Sequence, residues 1–145
     1  MPTPKQNYLI DLNREGFIKD ASQALAVDAL EDLYERLVTK HCRPPKGFLG
    51  ALIKVFVKSS LQPEAGLYLW GGVGRGKTYL MDNLYESLPI KRKMRVHFHR
   101  FMRRVHQDLT LLEGQVNPLQ KVADKIADET CIICFDEFFV SDIGD

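Results

Sequence analysis

The sequence contains no apolar run close to the roughly 18 residues that a membrane-spanning helix needs. Its N-terminus, Met1-Pro-Thr-Pro-Lys5, lacks the charged and then apolar order of a secretory signal peptide. No internal repeat or low-complexity tract is visible. These absences predict a globular protein with no membrane span and a cytoplasmic location.

Net charge is also nearly absent. The 20 basic residues are balanced by 19 acidic ones, so the formal charge is +1. Such a balance provides no overall electrostatic attraction to nucleic acid or to acidic membranes, and nucleic acid is an unlikely partner. The 145 residues are 45% hydrophobic and 27% charged, which suits a soluble globular domain with a buried core.

Cysteine is scarce, with three residues at Cys42, Cys131 and Cys134. The last two form a C-x-x-C pair, which occurs in zinc sites and in thioredoxin-like redox sites. However, the apolar run around them predicts a buried strand, and residues three apart on a strand point to opposite faces. We therefore interpret both as buried structural cysteines.

The first 65 residues are predicted to form a helical N-terminal region. Residues 1–19 show no sustained periodicity, whereas from Asp20 onward apolar residues recur at helical spacing. Pro44-Pro45 ends this helix or follows its end. A second short amphipathic helix is expected within residues 48–56.

Residues 66–145 alternate between strand and helix patterns, so this part of the chain is predicted to be an α/β domain. Such an alternation indicates a parallel sheet with helical crossovers. The predicted strands lie at 67–70, 95–99 and 131–136, and the predicted helices at about 77–87, 100–113 and 118–129.

The loop after the first predicted strand, Gly71-Gly-Val-Gly-Arg-Gly-Lys-Thr78, fits the pattern G-x-x-x-x-G-K-[ST] in its strand–loop–helix setting. Its glycines let backbone N–H groups point at phosphate oxygens, and the following helix adds the positive end of its dipole. Lys77 can contact the β- and γ-phosphates of ATP, and Thr78 can bind Mg²⁺. A dinucleotide fingerprint fails here, because its third glycine is missing. The predicted ATP-binding residues are Gly71, Gly72, Val73, Gly74, Arg75, Gly76, Lys77 and Thr78.

The second motif is Asp136-Glu137, directly after the apolar run 131–135. Ligands of parallel α/β sheets bind at the carboxyl ends of the strands, so Asp136 is placed to hold Mg²⁺ together with Thr78. Glu137 can activate the attacking water as a general base. A Glu rather than a Gln favours an ATPase over a small GTPase. Lys77 and Glu137 are the predicted catalytic residues.

Beyond these motifs, the chain resembles the ZapE group of AAA+ ATPases, relatives of a mitochondrial AAA+ family. The resemblance is strong from about residue 67 to 143. It is carried by the strings Leu67-Tyr-Leu-Trp-Gly-Gly-Val-Gly-Arg-Gly-Lys-Thr78, Leu80-Met-Asp82, His97-Phe-His-Arg-Phe-Met102, Val105-His106 and Cys134-Phe-Asp-Glu-Phe-Phe-Val-Ser-Asp-Ile143.

This resemblance implies a P-loop NTPase fold of AAA+ type, ATP hydrolysis linked to bacterial cell division, association with the tubulin-like protein FtsZ, and self-association into a homo-oligomer. Members of the group continue through a strand with a polar sensor residue, an arginine finger and a helical lid. The strand with the sensor residue, which is absent from this chain, lies between the P-loop strand and the Asp-Glu strand in the AAA+ sheet. The chain is therefore expected to be a truncated piece of a longer protein, with little or no ATPase activity alone.

Other residues have weaker functional interpretations. His97, His99 and His106 cluster with Arg100, Arg103 and Arg104, but a metal site is disfavoured because it would need convergent nitrogens. For Arg103 and Arg104 a solvated face is favoured over a nucleic-acid site. By the same resemblance Phe101 and Met102 could contact a polypeptide in an AAA+ pore, although a buried helix start is favoured. Phe138 and Phe139 pack under the site or at a subunit boundary, and both readings stay open.

Three alternative functions remain besides ATP hydrolysis. One is a nucleotide-dependent adaptor that does not hydrolyse ATP. Another is a helicase-loader-like ATPase acting on nucleic acid, for which salt-dependent binding to single-stranded DNA would be the signature. A small-molecule phosphotransferase is the least suitable, since the water-activating Asp136-Glu137 pair does not fit it.

Overall fold

The computed structural model describes residues 1–14, 16, 20–41, 63–72 and 76–138. The chain divides into two compact units, Met1–Ile90 and Lys91–Asp145. Within the described residues the elements, in chain order, are α1 (Pro4–Asp11), α2 (Ala21–His41), α3 (Lys77–Ser87), β1 (Lys93–His97), α4 (Phe98–Leu111), α5 (Pro118–Glu129) and β2 (Ile132–Asp136). The helix predicted within 48–56 and Cys42 lie outside the described residues.

Helix α1 was not predicted from periodicity, because its 8 residues are too few to show a repeating apolar face. Its start carries a capping box. The Thr3 hydroxyl accepts from the Gln6 N–H at 3.3 Å, and the Gln6 carboxamide accepts from the Thr3 N–H at 3.0 Å. Pro4 occupies the first helical position, where its missing N–H costs nothing. The Thr-Pro-Lys-Gln string was the signal that could have found this helix.

The long helix predicted from Asp20 is confirmed as α2. The Asp20 carboxylate accepts from the Ser22 N–H at 2.7 Å and so satisfies one of the unpaired amides of the first turn. The side chains that the sequence pattern placed on its apolar face include Leu30, Leu33 and Leu37, and all three are buried. α1, α2 and α3 pack against one another in the first unit.

A polar seam joins α1 to α3. The Asn7 amide donates to Asn83 Oδ1 and to Ser87 Oγ, each at 3.1 Å. The Asn83 amide in turn donates to the carbonyl oxygen of Pro4 at 2.8 Å. Asn83 and Ser87 are both buried, and a spacing of four residues places them on one face of α3. The seam thus fixes the N-terminal helix to the helix that follows the glycine loop.

Tyr79 extends the same seam by one turn. Its hydroxyl donates to Asp11 Oδ2 at 2.7 Å. Burial raises the pKa of the Tyr79 phenol, and the hydrogen bond to the Asp11 carboxylate raises this pKa further. The phenol therefore stays protonated and donating throughout the physiological pH range.

Removing the centre of the seam should destabilise the protein. In Asn83→Ala the Asn7 amide and the Pro4 carbonyl each lose a partner, and an unsatisfied buried polar group costs about 1–3 kcal/mol. We expect the free energy of unfolding to fall by that order, measured by urea denaturation with far-UV circular dichroism. Glu86→Ala, at an exposed position on the same helix, is the control. Coincident denaturation curves for both variants and the parent would contradict a stabilising seam.

The strand predicted at 67–70 is wrong. Residues 63–71 have no regular secondary structure, and Leu67, Tyr68 and Trp70 are 42%, 66% and 82% exposed. An apolar, β-prone run becomes a strand only when a neighbouring strand accepts its backbone hydrogen bonds. Within the described residues the only sheet is formed by β1 and β2, and this segment is not part of it.

The second unit contains the parallel sheet that the alternating pattern predicted. β1 and β2 pair in parallel, with Arg95 opposite Cys134 and His97 opposite Asp136. α4 and α5 form the connection between the two strands, as parallel pairing requires. Val105, Val122 and Ile126 form the buried core, and four partly buried side chains pack against it: Phe101, Leu109, Leu112 and Ile133. The architecture is therefore mixed α/β, with a small parallel sheet and a helical N-terminus.

Ion pairs also join α4 to α5. The Arg104 guanidinium contacts both carboxylate oxygens of Glu129 at 2.6 Å, and this contact raises the pKa of Arg104. One turn further along α4, Asp108 pairs with Lys125 at 3.1 Å. Arg103, in contrast, is exposed. The two neighbouring arginines thus differ, because only Arg104 is engaged across the helix pair.

Strand β1 ends two residues earlier than predicted, which corrects the expected strand 95–99. His97 keeps an extended backbone as the N-cap of α4, and Phe98 and His99 are helical. Phe98 packs against Phe135 of β2, with ring centroids 5.4 Å apart. Phe98 therefore packs on the sheet from the first turn of α4 and is not part of the strand.

The start of α5 is confirmed, with Asn117 at the N-cap and Pro118 at the first helical position. However, Asn117 has a left-handed backbone (φ 51°), and its side chain makes no capping hydrogen bond. Asparagine is among the residues that tolerate this conformation best. Asn117 therefore occupies the N-cap position and suits the turn there, but it does not cap α5 through its side chain.

The two described cysteines are free thiols. Cys134 is buried, as predicted, whereas Cys131 lies one residue before β2 and is half-buried. The Arg92 guanidinium donates to the Cys131 sulfur at 3.0 and 3.3 Å. Among the described residues, no group of three or more His, Cys, Asp or Glu side chains converges as a metal site would require.

None of the described helices has the length and apolar character needed to cross a bilayer.

Candidate nucleotide site

The glycine loop belongs to the first unit and leads directly into α3. Gly71, Gly72, Gly76, Lys77 and Thr78 are described, and the other predicted loop residues, Val73, Gly74 and Arg75, lie outside the described part. Gly76 is the N-cap of α3 and has a left-handed backbone (φ 76°) that residues with a Cβ rarely adopt. Its carbonyl accepts the first helical hydrogen bond, from the Leu80 N–H at 2.9 Å. The last glycine of the motif is therefore required by the backbone.

Lys77 folds back over the loop. Its ammonium group donates to the carbonyl oxygens of Gly71 and Gly72, each at 2.7 Å. A lysine has three N–H donors, so these two bonds leave donor capacity for an anion. The positive charge is thus held beside the loop backbone, at the start of α3.

The first turn of α3 presents further anion-binding groups. The first N–H groups of any helix have no partner within it, and the helix dipole makes this end positive. Glycine at the N-cap offers no side-chain acceptor to satisfy them. Thr78 is exposed in this same turn, so its hydroxyl is accessible. Such an arrangement suits a phosphate group, with the Thr78 oxygen available to a Mg²⁺ ion.

The acidic motif belongs to the second unit. Asp136 is the last residue of β2, and Glu137 follows it, as predicted. Asp136 Oδ2 lies 3.3 Å from the Arg95 guanidinium, and the Asp136 side chain is 24% exposed. This carboxylate is therefore accessible at the carboxyl end of the strand, and its oxygens are of the type that Mg²⁺ prefers.

Glu137 has an unusual backbone. Its φ of 52° places it in the left-handed region, which costs a residue with a Cβ roughly 1–2 kcal/mol. Conformations of this kind cluster at functional sites, where they aim a side chain. The Glu137 carboxylate is 73% exposed, and its Oε2 lies 3.9 Å from His97 Nδ1. Glu137 thus turns away from the strand direction and stays accessible to water.

Two neighbours of the acidic pair, Arg95 and His97, were not predicted as site residues. The parallel register places His97 directly opposite Asp136. Both strands end at the same edge of the sheet. Residues at the end of the earlier strand could therefore have been recognised in the sequence as neighbours of the Asp136-Glu137 pair. The His97 and His99 rings stack with centroids 5.9 Å apart, whereas His106 is exposed on α4.

The aromatic residues near the acidic pair pack together. Phe101 contacts Phe135, with centroids 4.9 Å apart, and also packs on the core of the second unit. These contacts agree with the favoured interpretation, in which Phe101 is a buried residue at the start of a helix and not a pore contact. Met102 is half-buried. The ring centroid of Phe138 lies 4.4 Å from that of Phe98, while the Phe138 side chain remains 47% exposed. Phe139 lies outside the described residues.

Comparison with known proteins identifies the family. A profile described as AFG1-like ATPase matches residues 2–145. The chain is 49% identical over 148 residues to Cell division protein ZapE of Escherichia coli K12, covering 99% of this chain and 40% of that protein. It is 38% identical over 140 residues to Lactation elevated protein 1 homolog B of Danio rerio, covering 88% of this chain and 28% of that protein.

A third relative, an uncharacterised protein of Schizosaccharomyces pombe, is 36% identical over 172 residues, covering 99% of this chain and 38% of that protein. The chain thus spans at most about 40% of the length of these curated relatives. No solved structure matches. Since the family profile covers nearly the whole chain, the resemblance to ZapE is confirmed, and the chain belongs to the AFG1-like ATPases, a family of P-loop ATPases.

Proposed function

We propose that this chain binds Mg·ATP at residues 71–78 and supplies the groups that hydrolyse it. The observation that carries the proposal is the Lys77 ammonium, held over the glycine loop at the N-terminus of α3 in a member of an ATPase family. Backbone amides of the loop and of the first turn of α3 bind the phosphates, and Lys77 neutralises the charge on the β- and γ-phosphates.

In this proposal, which pairs the two residues on the sequence motifs, Thr78 and Asp136 would supply oxygen ligands to Mg²⁺. Their accessible hydroxyl and carboxylate oxygens fit the hard oxygen ligands that this ion takes. When bound, Mg²⁺ offsets negative charge on the phosphate oxygens. Glu137 accepts a proton from the water that attacks the γ-phosphorus, and ADP is the leaving group. The exposed, left-handed position of Glu137 supports this role, because the carboxylate is accessible to water.

For the whole protein we propose an AAA+ ATPase that acts in cell division in the cytoplasm. The name of the relative Cell division protein ZapE supports the process. Action on FtsZ or other division proteins, and assembly into a homo-oligomer, rest on the resemblance to this group. We further propose that residues 66–145 are the N-terminal part of the AAA+ domain and that residues 1–65 are a helical region that precedes it. Within the first unit, α1 and α2 of this region pack against α3.

Nucleotide binding can be tested on the 145-residue chain. We expect saturable binding of a fluorescent ATP analogue in the presence of Mg²⁺, with displacement by ATP and ADP. Thr78→Val removes one of the oxygen ligands proposed for Mg²⁺, so it should weaken Mg·ATP binding by about tenfold, or about 1.4 kcal/mol, and should leave binding in EDTA unchanged. Thr110→Val, at an exposed position on α4, is the matched control.

Two results would count against this proposal. A parent chain with no saturable binding would contradict the nucleotide site itself. A Thr78→Val variant that binds Mg·ATP as tightly as the parent would remove Thr78 from the metal ligands.

A further inference from the structure

The first turn of α2 reaches the glycine loop. The carboxamide of Gln23 lies so close to Gly76 that a Cβ placed there would be 2.7 Å from Gln23 Nε2 and 3.5 Å from Gln23 Cδ. Real Cβ atoms essentially never lie within 3.0 Å of another heavy atom, so a larger residue at 76 would displace the end of the Gln23 side chain, which is flexible enough to move. The glycine therefore serves a close contact with α2 in addition to its left-handed backbone.

Helix α1 is bonded to both of the helices that meet at this contact, α2 and α3. α1 is tied to α2 through Lys5, whose ammonium group lies 2.7 Å from Asp28 Oδ1 and whose backbone N–H donates to Glu31 Oε2 at 2.9 Å. α1 is also tied to α3 by the polar seam, centred on Asn83. Because both helices that flank the loop are fixed to the same partner, the distance between the start of α2 and the start of α3 is constrained.

The environment of Gln23 suits a packing role. The residue is half-buried, and its carboxamide oxygen has almost no solvent exposure. A carboxamide packed on Gly76 limits the rotations that this glycine, lacking a Cβ, would otherwise make freely. The direction of the N–H groups that open α3 depends on those rotations, since Gly76 is the residue just before them.

We propose that Gln23 is a positioning residue of the phosphate-binding loop. By packing on Gly76 it holds the left-handed backbone that directs the first amides of α3, and with them Lys77, toward a nucleoside triphosphate. This inference rests on the proposed nucleotide binding at residues 71–78, and it adds a side chain from the N-terminal helices to that site. Preorganisation of this kind raises affinity because less loop ordering remains to be done on binding.

The test uses the 145-residue chain and the fluorescent ATP analogue. Gln23→Ala should weaken binding by roughly fivefold, the range expected when one loop or side chain must be ordered on binding. Gln23→Met keeps the length of the side chain and should retain most of the affinity. Ser22→Ala, at the exposed neighbouring position, is the control and should bind as the parent does.

A double-mutant cycle separates positioning from general stability. Gly76→Ala alone introduces a Cβ against Gln23, and Gln23→Ala removes the group it meets. The double variant should therefore bind no more weakly than Gly76→Ala, so the two effects should not add. Additive losses, or an unchanged affinity for Gln23→Ala, would overturn the proposal.

Hydrogen exchange provides a readout that needs no nucleotide. In Gln23→Ala the amide of Leu80, which donates to the Gly76 carbonyl at 2.9 Å, should exchange faster, while those of α5 should not change. Equal exchange at Leu80 in variant and parent would also overturn the positioning role. If the parent chain fails to bind the analogue, the proposed nucleotide binding is contradicted. The hydrogen-exchange result would then still test whether Gln23 positions the start of α3.

Discussion

Replacing Glu137 with Gln is expected to stop ATP turnover while leaving ATP binding intact. The substitution keeps the shape of the side chain and removes the carboxylate that accepts a proton from water. General-base catalysis typically contributes about 10²–10⁴-fold to a rate, so turnover should fall by that order. Binding should persist, because in the proposed site the phosphate contacts come from Lys77 and the loop amides, and not from Glu137.

The measurement requires a polypeptide of the relatives' full length that contains these residues, since the 145-residue chain alone is expected to turn over little ATP. Phosphate release under saturating ATP gives the rate, and the fluorescent analogue gives the affinity. Glu113→Gln, at an exposed position beyond α4, is a matched control for the same chemical change. If Glu137→Gln turns over ATP at the parent rate, Glu137 is not the general base.

Lys77→Ala should produce the second large effect, a loss of Mg·ATP affinity of about a hundredfold. A hydrogen bond to a charged group is worth roughly 1.5–3 kcal/mol, and about 1.4 kcal/mol corresponds to tenfold. The variant also removes the two hydrogen bonds that connect the ammonium group to the carbonyls of Gly71 and Gly72. Both losses act on the same loop, so affinity should fall more than stability does.

The affinity is measured with the fluorescent analogue and the 145-residue chain, beside the urea denaturation midpoint. Lys91→Ala, at an exposed position, controls for the loss of one positive charge. Near-parent affinity in Lys77→Ala would mean that the loop amides alone hold the phosphates, and the assignment of Lys77 as a phosphate ligand would be withdrawn.

Helices in which apolar residues recur over several turns were predictable from the sequence. The stripe at Leu30, Leu33 and Leu37 is repeated often enough along α2 to identify a helix. α3 and α5 were also located to within one or two residues, since a glycine or a proline marks where each one starts. β2 was located by its apolar run and the acidic pair that ends it.

Other elements were not predictable in the same way. The helix α1 has too few residues for a period, and only its capping box marks it. The Leu67-Tyr-Leu-Trp70 segment has strand composition but no hydrogen-bonded neighbour in the described sheet. β1 ends before Phe98, which packs on Phe135 from the first turn of α4, and the local sequence pattern does not contain this contact.

The residues of the candidate site likewise fall into two groups, those identified from the sequence and those that only packing revealed. The sequence by itself identified the candidate residues for the chemistry, because phosphate binding needs glycines, a lysine and a hydroxyl at fixed spacing along one loop. Only the tertiary structure decided which side chains surround them: Gln23 on Gly76, the Asn83 seam beneath α3, and His97 beside Glu137. The physical reason is that a loop motif is local in the chain, whereas these contacts join residues that only packing brings together.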